Sequence, residues 1–213
     1  MKAHTKETQA TMTPQKSIEF LLEGNQRFQN NIRINRNLIE QVNDTSNGQF
    51  PFATILSCID SRIPAEMIFD QGIGDLFSAR IAGNFSNEDI LGSLEFACKL
   101  AGSKVIMVLG HTSCGAVKGA CDDAKLGNLT QMLAKIKPAV ELVDTAPGEA
   151  RNSSNLNFVN EVSRQNVLLT VEAIKRNSPV LKEMMDNNEI DIVGAMYDVE
   201  SGSVELLKEY ILA

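Results

Sequence analysis

Three chemically active side chains follow an apolar segment at alternating positions. The stretch PFATILSCIDSRIP (51–64) places Cys58, Asp60 and Arg62 two residues apart. In extended backbone, residues i, i+2 and i+4 point to the same side, so this spacing predicts that a thiol, a carboxylate and a guanidinium face one point. An unpaired carboxylate beside a dry strand end would be costly, and Arg62 is therefore the expected partner of Asp60.

A second segment supplies an imidazole and another thiol. The stretch GHTSCG (110–115) places His111 and Cys114 directly after the apolar run KVIMVLG (104–110). Two thiolates and one imidazole form a known catalytic zinc set, which leaves a fourth coordination position for water or substrate. Sulfur together with nitrogen also favours zinc over magnesium or calcium. The sequence therefore predicts a zinc site where His111 and Cys114 meet Cys58.

Each of these residues has a simpler interpretation when it is taken alone. A cysteine at a strand end is usually a small buried hydrophobic residue, and an aspartate near an arginine is often a surface ion pair that contributes little. We interpret the other two cysteines as core residues. Cys98 lies among apolar residues of a predicted helix, and Cys121 lies two helical turns beyond Cys114, about 10 Å away. The zinc prediction depends on the conjunction of the two segments.

Apolar runs and helical patterns alternate along the chain. Strands are expected in FATILSC (52–58), DLFSARIAG (75–83) and KVIMVLG (104–110), and on both sides of a turn at 200–203 in EIDIVGAMYDVESGSVELL (189–207). Helices are expected between the strands, including 86–102 and 156–176. This alternation predicts an α/β fold with a mostly parallel sheet of about four strands, an antiparallel C-terminal edge strand and helices on both faces. In such a sheet, functional groups gather beyond the carboxyl ends of the strands.

The chain is expected to form one domain over residues 1–213. A helical N-terminal arm at 1–47 precedes an α/β core at 48–213. Within the arm, residues 1–12 are expected to be loose, and the Thr-Pro pair at 13–14 is typical of the first residues of a helix. No stretch has the composition of an interdomain linker.

Composition excludes several classes of protein. The 213 residues are 43% hydrophobic, which is enough for one substantial core. The formal net charge of -7 argues against a nucleic-acid or anionic-membrane surface. No apolar stretch approaches the roughly 20 residues of a membrane span, and the N-terminus lacks the apolar centre of a secretory signal. We therefore expect a cytoplasmic protein with free thiols and with neither nucleic-acid nor membrane partners.

The two motifs together resemble a known family. CIDSRIPAE (58–66) and GHTSCGAV (110–117) are similar to the signature of the β-class carbonic anhydrases, C-x-D-S-R followed by H-x-x-C-G. The resemblance extends over most of the chain, through EGNQRF (23–28), RIAGN (80–84), LGSLEFA (91–97) and YDVESG (197–202). Either motif alone would be weak, whereas the pair in this order is specific.

The resemblance implies roles for the residues of both motifs. Zinc would be held by Cys58, His111 and Cys114. Asp60 and Arg62 would form a dyad beside the open coordination position. If Arg62 released it, Asp60 would itself become a metal ligand.

The resemblance also implies features outside this cluster. It places substrate-binding groups at Gln49 and Gly115. One branch of the family is inhibited by bicarbonate in a separate pocket that contains a tryptophan, and Ile55 stands at that position here, although Arg80 and Tyr197 match other members of the pocket. The family further implies a homodimer or homotetramer in which the N-terminal helices embrace a neighbour.

The residues and the resemblance together predict zinc-dependent reversible hydration of carbon dioxide to bicarbonate and a proton. Zinc-bound hydroxide would attack CO2 in an orientation set by Asp60 and Arg62. Two alternatives stay open: the same site acting on another small heterocumulene such as carbon disulfide, or a non-catalytic zinc or redox-sensing protein. Structural zinc sites usually have four protein ligands, so three ligands with a dedicated cation at Arg62 favour the enzyme.

Overall fold

A central sheet organises the protein, whose computed structural model describes residues 2–207. Its strands are β1 Ala53–Ser57, β2 Leu76–Arg80, β3 Val105–His111, β4 Asp191–Tyr197 and β5 Val204–Leu207. Their order across the sheet is β2-β1-β3-β4-β5. The first four pair in parallel, and β5 is antiparallel to β4. The predicted fold class is confirmed; Met1 and 208–213, which the predicted domain also includes, lie outside the described residues.

Helices cover both faces of this sheet. They are α1 Lys6–Ala10, α2 Pro14–Gln29, α3 Leu38–Thr45, α4 Ala65–Ile68, α5 Glu88–Glu95 with a π-helical continuation at Phe96–Leu100, α6 Gly115–Cys121, α7 Gly127–Ala134, α8 Lys137–Leu142, α9 Leu156–Asn177 and α10 Pro179–Asp186. Side chains of β3 alternate between two apolar clusters, with Val105, Met107 and Leu109 in one and Ile106 and Val108 in the other. Such continuous apolar strands are typical of parallel sheets covered on both faces. In the described part of the chain, no helix has the length and apolarity needed to cross a membrane.

The strand order reverses at β1. The chain passes from β1 to β2 on one side and then returns to β3 on the other side. Ser57, the last residue of β1, is in register with Leu109, and β3 continues for two more residues to His111. The residue after Ser57 therefore lies beside the end of β3, at the carboxyl edge of the sheet, where open α/β folds bind their ligands.

The EGNQRF motif ties α2 to the core. The Asn25 side-chain amide donates to the backbone oxygens of Ile68 at 3.2 Å and Gly202 at 2.9 Å. A Cβ at Gly24 would lie 1.8 Å from the backbone oxygen of Phe69, so the close approach of α2 to this segment requires glycine. The motif thus has a packing role, because it joins the N-terminal arm to α4 and to the turn before β5.

A buried ion-pair cluster fixes the other end of the arm. The Asp70 carboxylate accepts hydrogen bonds from Arg27 Nε and Arg36 Nη1, both at 2.6 Å. Burial raises the pKa of Asp70, but the hydrogen bonds from the two arginines outweigh it and hold this pKa below its usual range. A buried carboxylate is costly when it loses a partner, so the cluster favours a single position for the segment after α2.

The first residues differ from the sequence prediction. The stretch expected to be loose contains α1, which Thr5 caps by accepting the N–H of Thr8 at 3.3 Å. Gln9 is buried, and its side-chain amide donates to the backbone oxygens of Pro51 and Ala101, each at 2.8 Å. A helix of this length is not stable alone. Its position is therefore set by contacts with the core, which local sequence patterns do not show.

Candidate metal centre

The structure brings Cys58, His111 and Cys114 together at the carboxyl edge of the sheet. Cys58 follows β1, His111 ends β3, and Cys114 is the residue before α6. Their candidate ligand atoms all lie within 4.8 Å of one another. The three residues are 3%, 0% and 1% exposed, respectively. The two segments therefore meet as predicted, and the cluster fits a metal site.

The orientation of the His111 ring leaves one nitrogen for a metal ion. Nδ1 lies 2.9 Å from the backbone oxygen of Thr112, so we assign the proton of the neutral ring to Nδ1. Nε2 is buried and has no hydrogen-bond partner among residues 2–207. A buried nitrogen without a partner is costly, and a divalent ion is a common partner for neutral imidazole held in this way.

The two thiols of the cluster share a hydrogen bond. Their Sγ atoms are 4.0 Å apart, with Cys114 as the donor and Cys58 as the acceptor. This bond lowers the pKa of Cys58 to about 4 and raises the pKa of Cys114 above its ordinary value. Of the two, Cys58 is therefore the thiol that loses its proton more readily. A thiolate, a thiol that deprotonates when metal binds, and an imidazole form a donor set that suits zinc.

Asp60 and Arg62 form a bidentate ion pair beside this cluster. Arg62 Nε donates to Asp60 Oδ1 at 2.9 Å, and Nη2 donates to Oδ2 at 2.8 Å. The hydrogen bonds from Arg62 hold the pKa of Asp60 well below its usual range. The Asp60 side chain is 17% exposed and that of Arg62 is 50% exposed, while Asp60 Oδ2 lies 4.0 Å from His111 Nε2. An ionised carboxylate therefore stands between the buried cluster and solvent.

A turn, not extended backbone, brings these two side chains together. The N–H of Ile63 donates to the backbone oxygen of Asp60 at 3.2 Å, and the N–H of Arg62 donates to Asp60 Oδ1 at 2.9 Å. Aspartate side chains favour such turns because they bond backbone N–H groups two residues on. The predicted alternation of Cys58, Asp60 and Arg62 along extended chain is therefore wrong beyond Asp60, although the pairing of Asp60 with Arg62 is present.

Two residues that fix the backbone of the site were not predicted in that role. Arg80, at the end of β2, donates from Nε to the backbone oxygen of Cys58 at 2.9 Å and from Nη2 to that of Asp60 at 2.7 Å. Asn160 Oδ1 accepts the N–H of Ser113 at 2.9 Å, and Ser113 has a φ of 55°. An arginine that ends an apolar strand was a usable signal. No sequence signal pointed to Asn160, because its partner Ser113 is 47 positions away along the chain.

Comparison with known proteins decides the family. The family described as carbonic anhydrase matches residues 53–204, a range that contains both motifs and the four parallel strands. The chain belongs to the carbonic anhydrase family. It is 35% identical over 169 residues to carbonic anhydrase 2 of Mycobacterium tuberculosis, with 77% of each chain covered. It is 34% identical over 173 residues to a carbonic anhydrase of Mycolicibacterium smegmatis, with 79% of this chain and 80% of the relative covered.

Solved carbonic anhydrases of the β class have the same fold. A Coccomyxa β-carbonic anhydrase in complex with acetazolamide matches with a TM-score of 0.71 and 21% identity, over 89% of this chain and 85% of that one. A β-carbonic anhydrase of Aspergillus fumigatus matches with a TM-score of 0.69 and 24% identity, over 91% and 88% of the two chains. These structures show the shared fold, and the family match together with the curated relatives confirms the predicted resemblance to the β class.

The carbonic anhydrase fold separates the two residues for which substrate contacts were expected. Gly115 is exposed beside Cys114, and a Cβ there would meet no atom of the described chain within 4 Å, so space is open above the cluster. Gln49 is exposed and precedes β1, toward the amino edge of the sheet, whereas Cys58 follows the carboxyl end of the same strand. One copy of the chain does not bring Gln49 to its own cluster. Substrate binding by Gly115 and Gln49 stays a prediction.

The remaining cysteines of this carbonic anhydrase lie in the core, outside the metal cluster. Cys98 and Cys121 are both buried. Burial raises the pKa of Cys98 to about 12 and that of Cys121 to about 11. Both are therefore neutral thiols near neutral pH, in contrast to Cys58.

Proposed function

We propose that this chain holds one zinc ion with Cys58, His111 and Cys114 and hydrates carbon dioxide reversibly to bicarbonate and a proton. The observation that carries the proposal is the convergence of these three buried donors, with Nε2 of His111 left without a partner in the described chain. Membership of the carbonic anhydrase family supports the reaction. The donor set of two sulfurs and one nitrogen supports zinc over harder ions.

The side chains around the cluster would hold the reactants in place. A bound zinc ion supplies a water-derived nucleophile near neutral pH. Asp60, kept ionised by Arg62, would accept a hydrogen bond at the open side of the cluster and so help to orient the reacting groups. Both carboxylate oxygens of Asp60 bond to Arg62, and release of that pair would free Asp60 to become a metal ligand.

The proton released in the reaction would leave through water and buffer. Besides His111, the sequence contains one histidine, His4. Its ring lies 5.2 Å from that of Phe52, which precedes β1 at the amino edge of the sheet. His4 therefore lies at the opposite edge of the sheet from the cluster and is not placed to accept a proton from it. Because water and buffer must carry the proton away, the hydration rate should depend on buffer concentration.

Stopped-flow CO2 hydration on protein of measured zinc content tests the proposal. We expect the hydration rate to rise into the mildly alkaline range, because two thiolates offset the charge of the metal. The rate should fall when a chelator removes zinc and recover when zinc is restored. Carbon disulfide hydrolysis is assayed in parallel. A metal-free chain that keeps its full rate would contradict the proposal. A zinc-loaded chain that is inactive on CO2 would instead favour the carbon disulfide or the non-catalytic alternative.

We further propose a homodimer or homotetramer in the cytoplasm. Within residues 2–207, β2 pairs with β1 alone, and Phe96, Met67 and Ile73 are large exposed apolar side chains. An open sheet edge with apolar neighbours favours association. Solved β-carbonic anhydrases of Sordaria macrospora are described as tetrameric. A mass of 23.3 kDa in sedimentation equilibrium would show a monomer and contradict the proposed oligomer. Cell fractionation that finds the protein outside the cytoplasm would contradict the proposed location.

A further inference from the structure

We propose that Asn166, on the buried face of α9, is a positioning residue for the Cys58 thiolate. It acts through a short turn after β2, whose Gly83 N–H bonds the sulfur. The inference rests on the proposed zinc site and adds to it a support that lies outside the two motifs.

The turn that contacts Cys58 has a defined geometry. It spans Ile81 to Asn84 and is closed by a hydrogen bond of 2.9 Å from the N–H of Asn84 to the backbone oxygen of Ile81. Gly83, its third residue, has a φ of 82°, which is the conformation of a type II turn. The N–H of Gly83 donates to Cys58 Sγ at 3.4 Å. The glycine thus supplies a backbone donor that other residues would not present here without strain.

The space beside Gly83 is occupied by Ile136. A Cβ at this position would lie 2.4 Å from Cδ1 of Ile136. A side chain here would therefore have to displace this methyl group, in addition to the backbone strain of a positive φ. The backbone oxygen of Gly83 remains free to accept a hydrogen bond from a different element.

Asn166 supplies that hydrogen bond. Its Nδ2 donates to the backbone oxygen of Gly83 at 2.8 Å. Asn166 is 3% exposed and lies in the buried stripe of α9, which is mainly apolar but also contains Ser163 and Thr170. Those two hydroxyls bond to backbone oxygens of the helix itself, whereas the Asn166 amide bonds to another segment. A buried amide is costly unless it is hydrogen bonded, so packing alone does not account for an asparagine here.

The same helix also holds the second ligand segment. Asn160, six residues earlier on α9, accepts the N–H of Ser113, which lies between His111 and Cys114. The 22-residue helix α9 packs against both β3 and β4. A single rigid element thus supports the segments that carry all three candidate ligands.

A hydrogen bond from N–H to a thiolate has two effects on a metal site. It fixes the direction of the sulfur, and it withdraws electron density that the sulfur would otherwise donate to the metal. Loss of such outer contacts typically costs roughly 10- to 100-fold in metal affinity or activity. We expect loss of the Asn166 amide to have an effect of this size on zinc affinity, because the turn that carries the Gly83 N–H would lose its anchor.

The test compares Asn166→Leu with Thr170→Val. Leucine has the same number and branching of side-chain heavy atoms as asparagine, although it is bulkier, and it has no donor. Thr170 is also buried on α9, and among the described residues its hydroxyl bonds only to the backbone oxygen of Asn166, within the helix. Thr170→Val therefore controls for a polar group lost from the same face. Asn166→Ala is included because it removes the donor without adding bulk. Circular dichroism confirms that each variant is folded.

Two measurements on purified protein decide the outcome. Competition with a chelator gives the zinc dissociation constant, which should rise roughly 10- to 100-fold in both Asn166 variants and stay at the wild-type value in Thr170→Val. With Co²⁺ in place of zinc, the sulfur-to-cobalt charge-transfer band should move to lower energy in the Asn166 variants alone, because the sulfur becomes more electron-rich.

Folded Asn166 variants with wild-type zinc affinity would overturn the inference. A weaker affinity with an unmoved cobalt band would overturn it as well, since a general loss of stability would then explain the change. Neither measurement uses CO2 turnover. A wild-type chain that binds no zinc would refute the proposed function and this inference together, whereas an unchanged band in zinc-binding protein refutes the inference alone.

Discussion

Replacing Cys58 with serine is expected to remove the zinc ion and nearly all CO2 hydration. Cys58 is the cysteine of the cluster that loses its proton more readily, because Cys114 donates a hydrogen bond to it and lowers its pKa. A serine hydroxyl is a poor substitute for this soft donor. Metal catalysis of this type contributes several kcal/mol, and each 1.36 kcal/mol is a factor of ten in rate. We therefore expect a loss of roughly 10³-fold or more, measured by stopped-flow hydration and elemental analysis.

Cys121→Ser is the matched control for this prediction. Cys121 is buried, as Cys58 is, but it lies outside the cluster of candidate ligands. The control should keep its zinc and most of its rate, even if it loses some stability. A Cys58→Ser protein that retains zinc and turns over at the rate of Cys121→Ser would show that Cys58 is not a ligand.

Asp60→Asn is expected to lower the hydration rate roughly 10²-fold without loss of zinc. Asparagine keeps the size of the side chain but loses the charge that Arg62 binds and an acceptor that orients the nucleophile. The hydrogen bonds from Arg62 hold the pKa of Asp60 well below its usual range. Asp60 is therefore ionised at every pH above that lowered value. The loss in the variant should be equal across roughly pH 6–9, because Asp60 does not titrate there.

The pH dependence of the hydration rate tests the role of Asp60 most stringently. Wild type and Asp60→Asn should give parallel curves of log rate against pH. Asp123→Asn is the control: Asp123 pairs with Lys137 at 2.5 Å and its side chain is 64% exposed, so it should follow the wild-type curve. An Asp60→Asn variant with the full rate at neutral pH would remove the proposed role of this carboxylate.

The convergence of the two ligand segments could be predicted because buried parallel strands appear in a sequence as short, mainly apolar runs. All residues of β1 and β3 are buried, and both appear in the sequence as uncharged, mainly apolar runs of strand length. Reactive residues directly after two such strands belong to one edge of the sheet once the strands are neighbours. That neighbour relation was assumed from the sequence, and the strand order confirms it.

The supports of the site could not be predicted in the same way. Arg80 is 22 positions from Cys58 along the chain, and Asn166 is 83 positions from Gly83. Such contacts depend on the packing of whole elements, which leaves no local pattern in the sequence. An amide side chain within the mainly apolar stripe of a predicted helix was the available sign for Asn166. Arg80 was related to an inhibitory pocket, and its bonds to the Cys58 and Asp60 backbone were not expected.

The position of Gln49 shows a limit of predicting site residues from family resemblance. Family resemblance implied a substrate contact nine residues before Cys58, yet an extended strand separates these two positions along the sheet. Gln49 is therefore not near the cluster of its own chain, and the proposed homo-oligomer would have to supply it from another copy. A motif read along one chain does not show which copy a residue serves.

X-ray absorption at the zinc edge of the purified protein tests the central claim most directly. The account predicts one zinc ion per chain with two sulfur neighbours at about 2.3 Å and lighter nitrogen or oxygen neighbours at about 2.0 Å. The sulfur count should fall to one in Cys58→Ser and Cys114→Ser proteins that retain any metal. A shell of four sulfurs, a shell without sulfur, or active protein that contains no zinc would contradict the account.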